Sequence, residues 1–232
     1  MLDISRIRAI TLDLDDTLWP IWPTIERAEQ VLRAWLLTTA PATAALLAVP
    51  ETASAIRASV VAAHPHLSHD LSALRRESIR AALHAAGEDT ALAEQGFDVF
   101  FAERQRVELY EDALETLECL SARHPLVALS NGNADLQLIG IGSYFRASIS
   151  AREFGTPKPD ARIFLAAAEA AGVAPAEVLH VGDDAAMDAQ GAVAAGMQAV
   201  WINRTGQPWP HGDMQVPHAT VHDLRGLCAL LI

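Results

Sequence analysis

From residue 111 onward, short apolar runs alternate with helical stretches, and the runs that lead into polar residues do so abruptly. Residues 126–129 end in Ser130-Asn131-Gly132, and residues 178–181 end in Gly182-Asp183-Asp184. Residues 147–150, 198–202 and 219–221 read as further strands. Between them, helices are expected over 113–122, 160–171 (closed by Gly172) and 185–195 (closed by Gly196), with another at the C-terminus. Runs this short and this apolar suit strands buried on both faces. Strand–helix alternation then dictates an open parallel sheet wound with helices on both sides, a Rossmann-like α/β fold. Residues 7–14 form one more such run, stopping in Asp13-Leu14-Asp15-Asp16-Thr17, and belong to the same sheet.

The segment between the first strand and this alternation is helical throughout. Ile25, Ala28, Val31, Leu32, Trp35 and Leu36 recur at three- and four-residue spacing. A second helix is expected over 51–63. A third is capped by Ser68, carries Leu71, Leu74, Ile79, Ala82 and Leu83, and is stopped by Gly87. A fourth holds Phe97, Phe100, Phe101 and Arg104. The expected organisation is an α/β core of residues 1–19 and 110–232, with an all-helical insert of residues 20–109 that buries its own apolar faces. Residues 203–217, rich in Gly and Pro, read as a long mobile loop.

Composition narrows the function. Hydrophobic residues make up 51% and charged residues 20%, as in a folded globular protein. The formal charge of -12 repels nucleic acid and anionic lipid, so neither is an expected partner. The two cysteines, Cys119 and Cys228, do not make a disulfide framework and suit a reducing cytoplasm. The N-terminus lacks the uncharged core of a signal peptide, and no apolar run reaches the roughly 18 residues of a membrane helix.

The carboxyl ends of the strands in such a sheet line one crevice, so the polar clusters converge despite their distance in sequence. Phosphoryl transfer needs an in-line nucleophile, a cation, further donors for the phosphate oxygens and a proton for the leaving group. Asp13 and Asp15, two apart, share a face if the strand extends to them. With Asp183 they offer oxygens to a hard cation, for which magnesium is the natural candidate. Asp13 then serves as nucleophile and Asp15 as acid and base. Ser130, the Asn131 backbone amide and Lys158 hold the transferring oxygens.

Asp13-Leu14-Asp15-Asp16-Thr17-Leu18, Ser130-Asn131-Gly132, Lys158-Pro159 and Gly182-Asp183-Asp184-Ala185-Ala186-Met187-Asp188, in this order, resemble the haloacid-dehalogenase-like hydrolase superfamily. The resemblance implies the phosphatase branch with a helical cap and a small phosphorylated metabolite as substrate. Asp13 is then the nucleophile, Asp15 the acid/base, Ser130 a phosphate ligand, Lys158 the charge stabiliser and Asp183 a metal ligand. It casts Asp188 as a support for the metal site or for Lys158. Ser130-Asn131-Gly132-Asn133-Ala134-Asp135 and His180-Val181-Gly182-Asp183-Asp184 are further similar to a subgroup acting on flavin mononucleotide or the phosphorylated pyrimidine of riboflavin synthesis.

Three rivals remain: a metal-independent 2-haloacid dehalogenase, which has no use for Asp15, a phospho-acceptor or ligand-binding protein that does not turn over, and a phosphotransfer mutase, which would move a phosphate rather than free it. Asp16, Thr17 and Asp184 read as structural caps rather than site residues. His64, His66 and His69 lack metal-ligand spacing and read as a polar loop. Trp19 and Trp22 either line the pocket mouth and stack on a flat substrate or pack the hinge of the cap. Trp209 has no assigned role.

Overall fold

The computed structural model describes residues 1–210, 212 and 216–231. The sheet has six parallel strands: β1 (Ala9–Leu12), β2 (Leu126–Ser130), β3 (Ala147–Ser150), β4 (Val178–Gly182), β5 (Gln198–Ile202) and β6 (Ala219–Val221). Their order across the sheet is β3-β2-β1-β4-β5-β6. β1, β2, β4 and β5 are buried at every residue, which is why their sequences are continuous apolar runs rather than alternating ones. β1 lies between β2 and β4, with Leu12 level with Ala128 and Val181. The strand order reverses across β1, so the ends of β1, β2 and β4 frame the crevice where ligands of such sheets bind.

β1 is shorter than the expected 7–14. Leu14 accepts from the Leu18 amide, Asp16 donates to the Trp19 carbonyl, and Asp16 holds φ 58°. The acidic run is therefore a tight turn and not an extension of the strand. One face of the sheet packs on Ala161–Ala171, where Ile163, Phe164, Ala167 and Ala171 meet Ala9, Val127, Leu129 and Val178. Asp160 caps that helix through the Arg162 amide, and Gly172 ends it in the left-handed region. Helices Ala113–Ser121 and Leu224–Leu231 bury Leu117, Leu120, Leu224 and Leu227. Trp209 packs edge-on against Trp201, 5.2 Å between ring centroids, and joins the first of these faces. Part of the 203–217 loop, residues 211 and 213–215, lies outside the described residues.

The chain divides into two compact units, Met1–Pro20 with Glu108–Ile232, and Ile21–Val107. The second unit is all helical among its described elements: α1 (Ile21–Thr39), α2 (Pro41–Leu47), α3 (Pro50–Ala63), α4 (Leu71–Ala85) and α5 (Leu92–Arg104), with a one-turn Pro65–Leu67 between α3 and α4. It has its own core of Ala28, Leu32, Leu36, Ile79, Leu83, Phe97 and Phe100. Gly96 lets α5 approach α1, since a Cβ there would stand 3.2 Å from Trp35. The cap of α4 is Asp70, which accepts from the Ala73 amide, rather than Ser68. α2 is an element the sequence reading did not contain. No single helix among the described residues is long and apolar enough to cross a membrane; α2 and α3 meet the length and composition only as a pair bent by 96°.

Candidate active site

Asp13 follows β1 directly, and its amide still donates to Val181 of β4. This fixes its side chain between the ends of β2 and β4. Lys158 Nζ, 3% exposed as a residue, donates to Asp13 Oδ1 and to Asp188 Oδ1, each at 2.5 Å. The Lys158 backbone is pinned in both directions by one side-chain amide: its N–H donates to Asn131 Oδ1 (2.7 Å) and its carbonyl accepts from Asn131 Nδ2 (3.1 Å). Ser130 ends β2, is buried, and its Oγ accepts from the Gly132 amide at 2.9 Å. That leaves the hydroxyl proton to be donated.

Asp183 lies just past β4. Its Oδ1 accepts from Thr17 Oγ1 (3.1 Å), and its carbonyl accepts from the Trp201 indole (2.6 Å). Asp184 accepts from the Ala186 and Met187 amides and so caps the following turn, as expected. That turn, Ala185–Gln190, is wound wider than an α-helix, with the Ala189 amide reaching back to Asp184. The extra width delivers Asp188 to the end of β4. Its Oδ2 accepts from the Asp184 amide (3.0 Å), and its Oδ1 also lies 3.1 Å from His180 Nε2. Gly182 is required by this approach, because a Cβ there would stand 2.3 Å from the Asp188 carboxylate.

Ligand oxygens of Asp13, Asp183 and Asp188 all lie within 4.8 Å of one another. The side-chain cluster thus contains Asp13 and Asp183 of the expected trio together with Asp188. The Asp15 side chain turns instead to the Trp19 indole, whose N–H donates to Asp15 Oδ1 at 2.8 Å. Trp19 is fully buried and serves Asp15, whereas Trp22 is 70% exposed. Thr17, expected as a cap, instead supports Asp183. Thr17, Trp201 and His180 are site-supporting residues that the sequence reading did not assign.

The electrostatics show what the cluster lacks. Burial alone would lower Lys158, but Asp13 and Asp188 outweigh it and hold the ammonium charged. Burial raises Asp188, yet Lys158 and His180 keep it an ionised carboxylate. Burial raises Asp13 well above the usual range, against the pull of Lys158. Asp183 is pushed up to about 7 by burial and by the nearby charges of Asp188 and Asp16. One ammonium thus faces three close carboxylates, and the surplus negative charge suits a hard divalent cation with oxygen ligands. Three donors already occupy Asp188, which makes Asp13 and Asp183 the better placed to hold such an ion.

Comparison with known proteins gives three kinds of likeness. A family model described as haloacid dehalogenase-like hydrolase matches residues 7–196. The 5-amino-6-(5-phospho-D-ribitylamino)uracil phosphatase YigB of Escherichia coli (strain K12) is 34% identical over 98% of each chain. Phosphoserine phosphatase of Thermus thermophilus is 38% identical over 65% of this chain and 62% of its own. Among solved structures, the 2-haloacid dehalogenase from Pseudomonas syringae pv. Tomato DC3000 is 37% identical, covers 97% of this chain and 98% of its own, and superposes with a TM-score of 0.90.

Proposed function

The chain belongs to the haloacid dehalogenase-like hydrolase family, and from that premise we propose that it is a magnesium-dependent phosphatase working through a phosphorylated Asp13. The observation that carries this reading is the cation-poor cluster of Asp13, Asp183 and Asp188 around a single Lys158. A bound magnesium, held by Asp13 and Asp183, would supply positive charge for the phosphate oxygens. A carboxylate oxygen of Asp13 attacks phosphorus while the ester P–O bond breaks. Asp15, one oxygen held by Trp19, gives its proton to the departing alkoxide. Lys158 and the Ser130 hydroxyl donate to the transferring oxygens. Water then attacks the aspartyl-phosphate, Asp15 takes its proton back, and orthophosphate leaves with Asp13 restored.

The substrate we infer is a small phosphorylated metabolite, and the first to try are 5-amino-6-(5-phospho-D-ribitylamino)uracil, by likeness to the Escherichia coli phosphatase, and flavin mononucleotide. The free thiols Cys119 and Cys228 support a reducing, cytoplasmic setting. The likeness to a 2-haloacid dehalogenase favours a second reading, displacement of halide from carbon by Asp13 without a metal. Asp15 stands against it, since halide needs no proton. Hydrolysis of an aryl phosphate, measured with magnesium and then with excess chelator, separates the two. Magnesium-dependent release of orthophosphate is expected. Halide release from a 2-haloacid that persists under chelation, without phosphate release, would replace this reading with the other.

A further inference from the structure

Behind Lys158 runs a buried chain of side chains that the proposed chemistry leaves unused. His180, in the middle of β4, is 0% exposed. Its Nδ1 lies 2.8 Å from Thr11 Oγ1 on β1, and its Nε2 lies 3.1 Å from Asp188 Oδ1. The ring meets the edge of Phe164, 5.1 Å between centroids at 87°. Asp188 Oδ1 is the same atom that accepts from Lys158 Nζ. One ordered row therefore links Thr11, His180, Asp188, Lys158 and Asp13, across two strands, a wide turn and a Pro-flanked loop.

The hydrogen-bond roles follow from what each partner can do. Asp188 as a carboxylate only accepts, so Nε2 carries a proton toward it. Burial disfavours the charged imidazole, so Nδ1 is left as an acceptor. The Thr11 hydroxyl then donates to Nδ1. An apolar residue at 180 would strip Asp188 of one of its three donors and leave Lys158 Nζ free to swing toward it. A carboxylate whose rotamer is fixed from behind fixes the ammonium in front.

Resting on the phosphatase reading, we propose that His180, as the neutral tautomer protonated at Nε2 and set by Thr11, is a positioning residue that holds Asp188 and through it Lys158 against Asp13. His180 touches neither substrate nor reacting atoms, so its effect is read through turnover relative to the enzyme's own folded population. Aryl phosphate hydrolysis is measured with magnesium, well below each variant's melting temperature. His180→Leu is expected to lower kcat at least tenfold. His180→Gln, whose amide can still donate toward Asp188, recovers most of that loss. Thr11→Val, isosteric in a buried strand, lowers kcat severalfold and serves if the His180 variants do not fold. Turnover within twofold of the parent for Thr11→Val and His180→Leu, or equal losses for Gln and Leu at 180, would overturn the proposal. Nitrogen-15 NMR of the intact protein reads the tautomer without turnover, and a His180 protonated at Nδ1 alone sinks it. A parent enzyme with the Nε2 tautomer but no magnesium-dependent phosphate release would instead remove the phosphatase reading.

Discussion

Asp13 and Asp15 are two residues apart, yet they meet different neighbours, and the proposed mechanism gives them different work. Asp13 faces the Lys158 ammonium and the other carboxylates. Asp15 lies in the turn beyond β1, braced by Trp19, and is not among the three clustered carboxylates. A group that must shed and regain a proton is better placed away from the cation site, where a metal would hold it ionised. Asp13→Asn is therefore expected to abolish turnover on every phosphate ester. Asp15→Asn should cost little with a good leaving group such as nitrophenolate, and on the order of a hundredfold or more with an alkyl phosphate, whose alkoxide needs the proton. Rate constants for a series of esters of graded leaving-group acidity check this. A loss independent of leaving group would take the proton away from Asp15.

At the scale of elements, the wide turn after β4 is the most demanding piece. It bends Asp188 back over Gly182 so closely that no Cβ fits there. Gly182→Ala should push Asp188 away from Lys158, cutting kcat by about a hundredfold and stability by about 1 to 3 kcal/mol, the usual cost of overpacking. Denaturant midpoint and turnover measured together would test it, and an alanine variant with parental kcat would show that the close approach is dispensable. The sequence carried the strands well, because apolar runs ending in polar residues mark β2, β4 and β5 without knowledge of partners. It failed at β1, where the apolar Leu14 continued the pattern although the strand ends at Leu12 and Leu14 already opens the turn by accepting from the Leu18 amide. It also missed α2, because Pro41 reads as a boundary although proline is at home in a first helical turn. Ser68 was the nearer signal for α4, but Asp70 sits at the residue that precedes the helix and its carboxylate reaches the right amide. Asp13, Ser130 and Asp183 stood out as candidates because polar residues just past an apolar strand are conspicuous, whereas Lys158, eight residues beyond β3 on a loop, stood out by its flanking prolines. Thr17, His180 and Trp201 did not, since each is a single residue whose partner lies between 8 and 169 positions away.

Over the whole molecule, the helical unit is inserted into a sheet whose first strand is already complete, so the chain must leave and return at neighbouring points. Within the sheet-bearing unit, the Tyr110 amide donates to the Leu18 carbonyl at 2.9 Å, bringing the departing and returning segments side by side. Arg204, just after β5, ties both down. It grips Asp112 with two nitrogens at 3.1 Å, donates to the Thr17 carbonyl, and lies 3.8 Å over the Tyr110 ring. Asp112 in turn accepts from the Leu224 amide at the start of the C-terminal helix. Burial raises the Asp112 carboxyl, but the Arg204 guanidinium outweighs it and the net shift is downward. A carboxyl with a lowered folded-state value stabilises the fold above its unfolded value, near 4, and that stability is lost as pH falls through the folded value. Asp112→Asn should therefore cost about 2 to 3 kcal/mol near neutrality, where it leaves Arg204 without its ionic partner, and the deficit should shrink as pH drops below 4. Urea midpoints of parent and variant across pH 2 to 7 provide the comparison. Converging curves in acid are the expected result; curves that stay parallel throughout would mean that the charge of Asp112 is not what holds the two segments together.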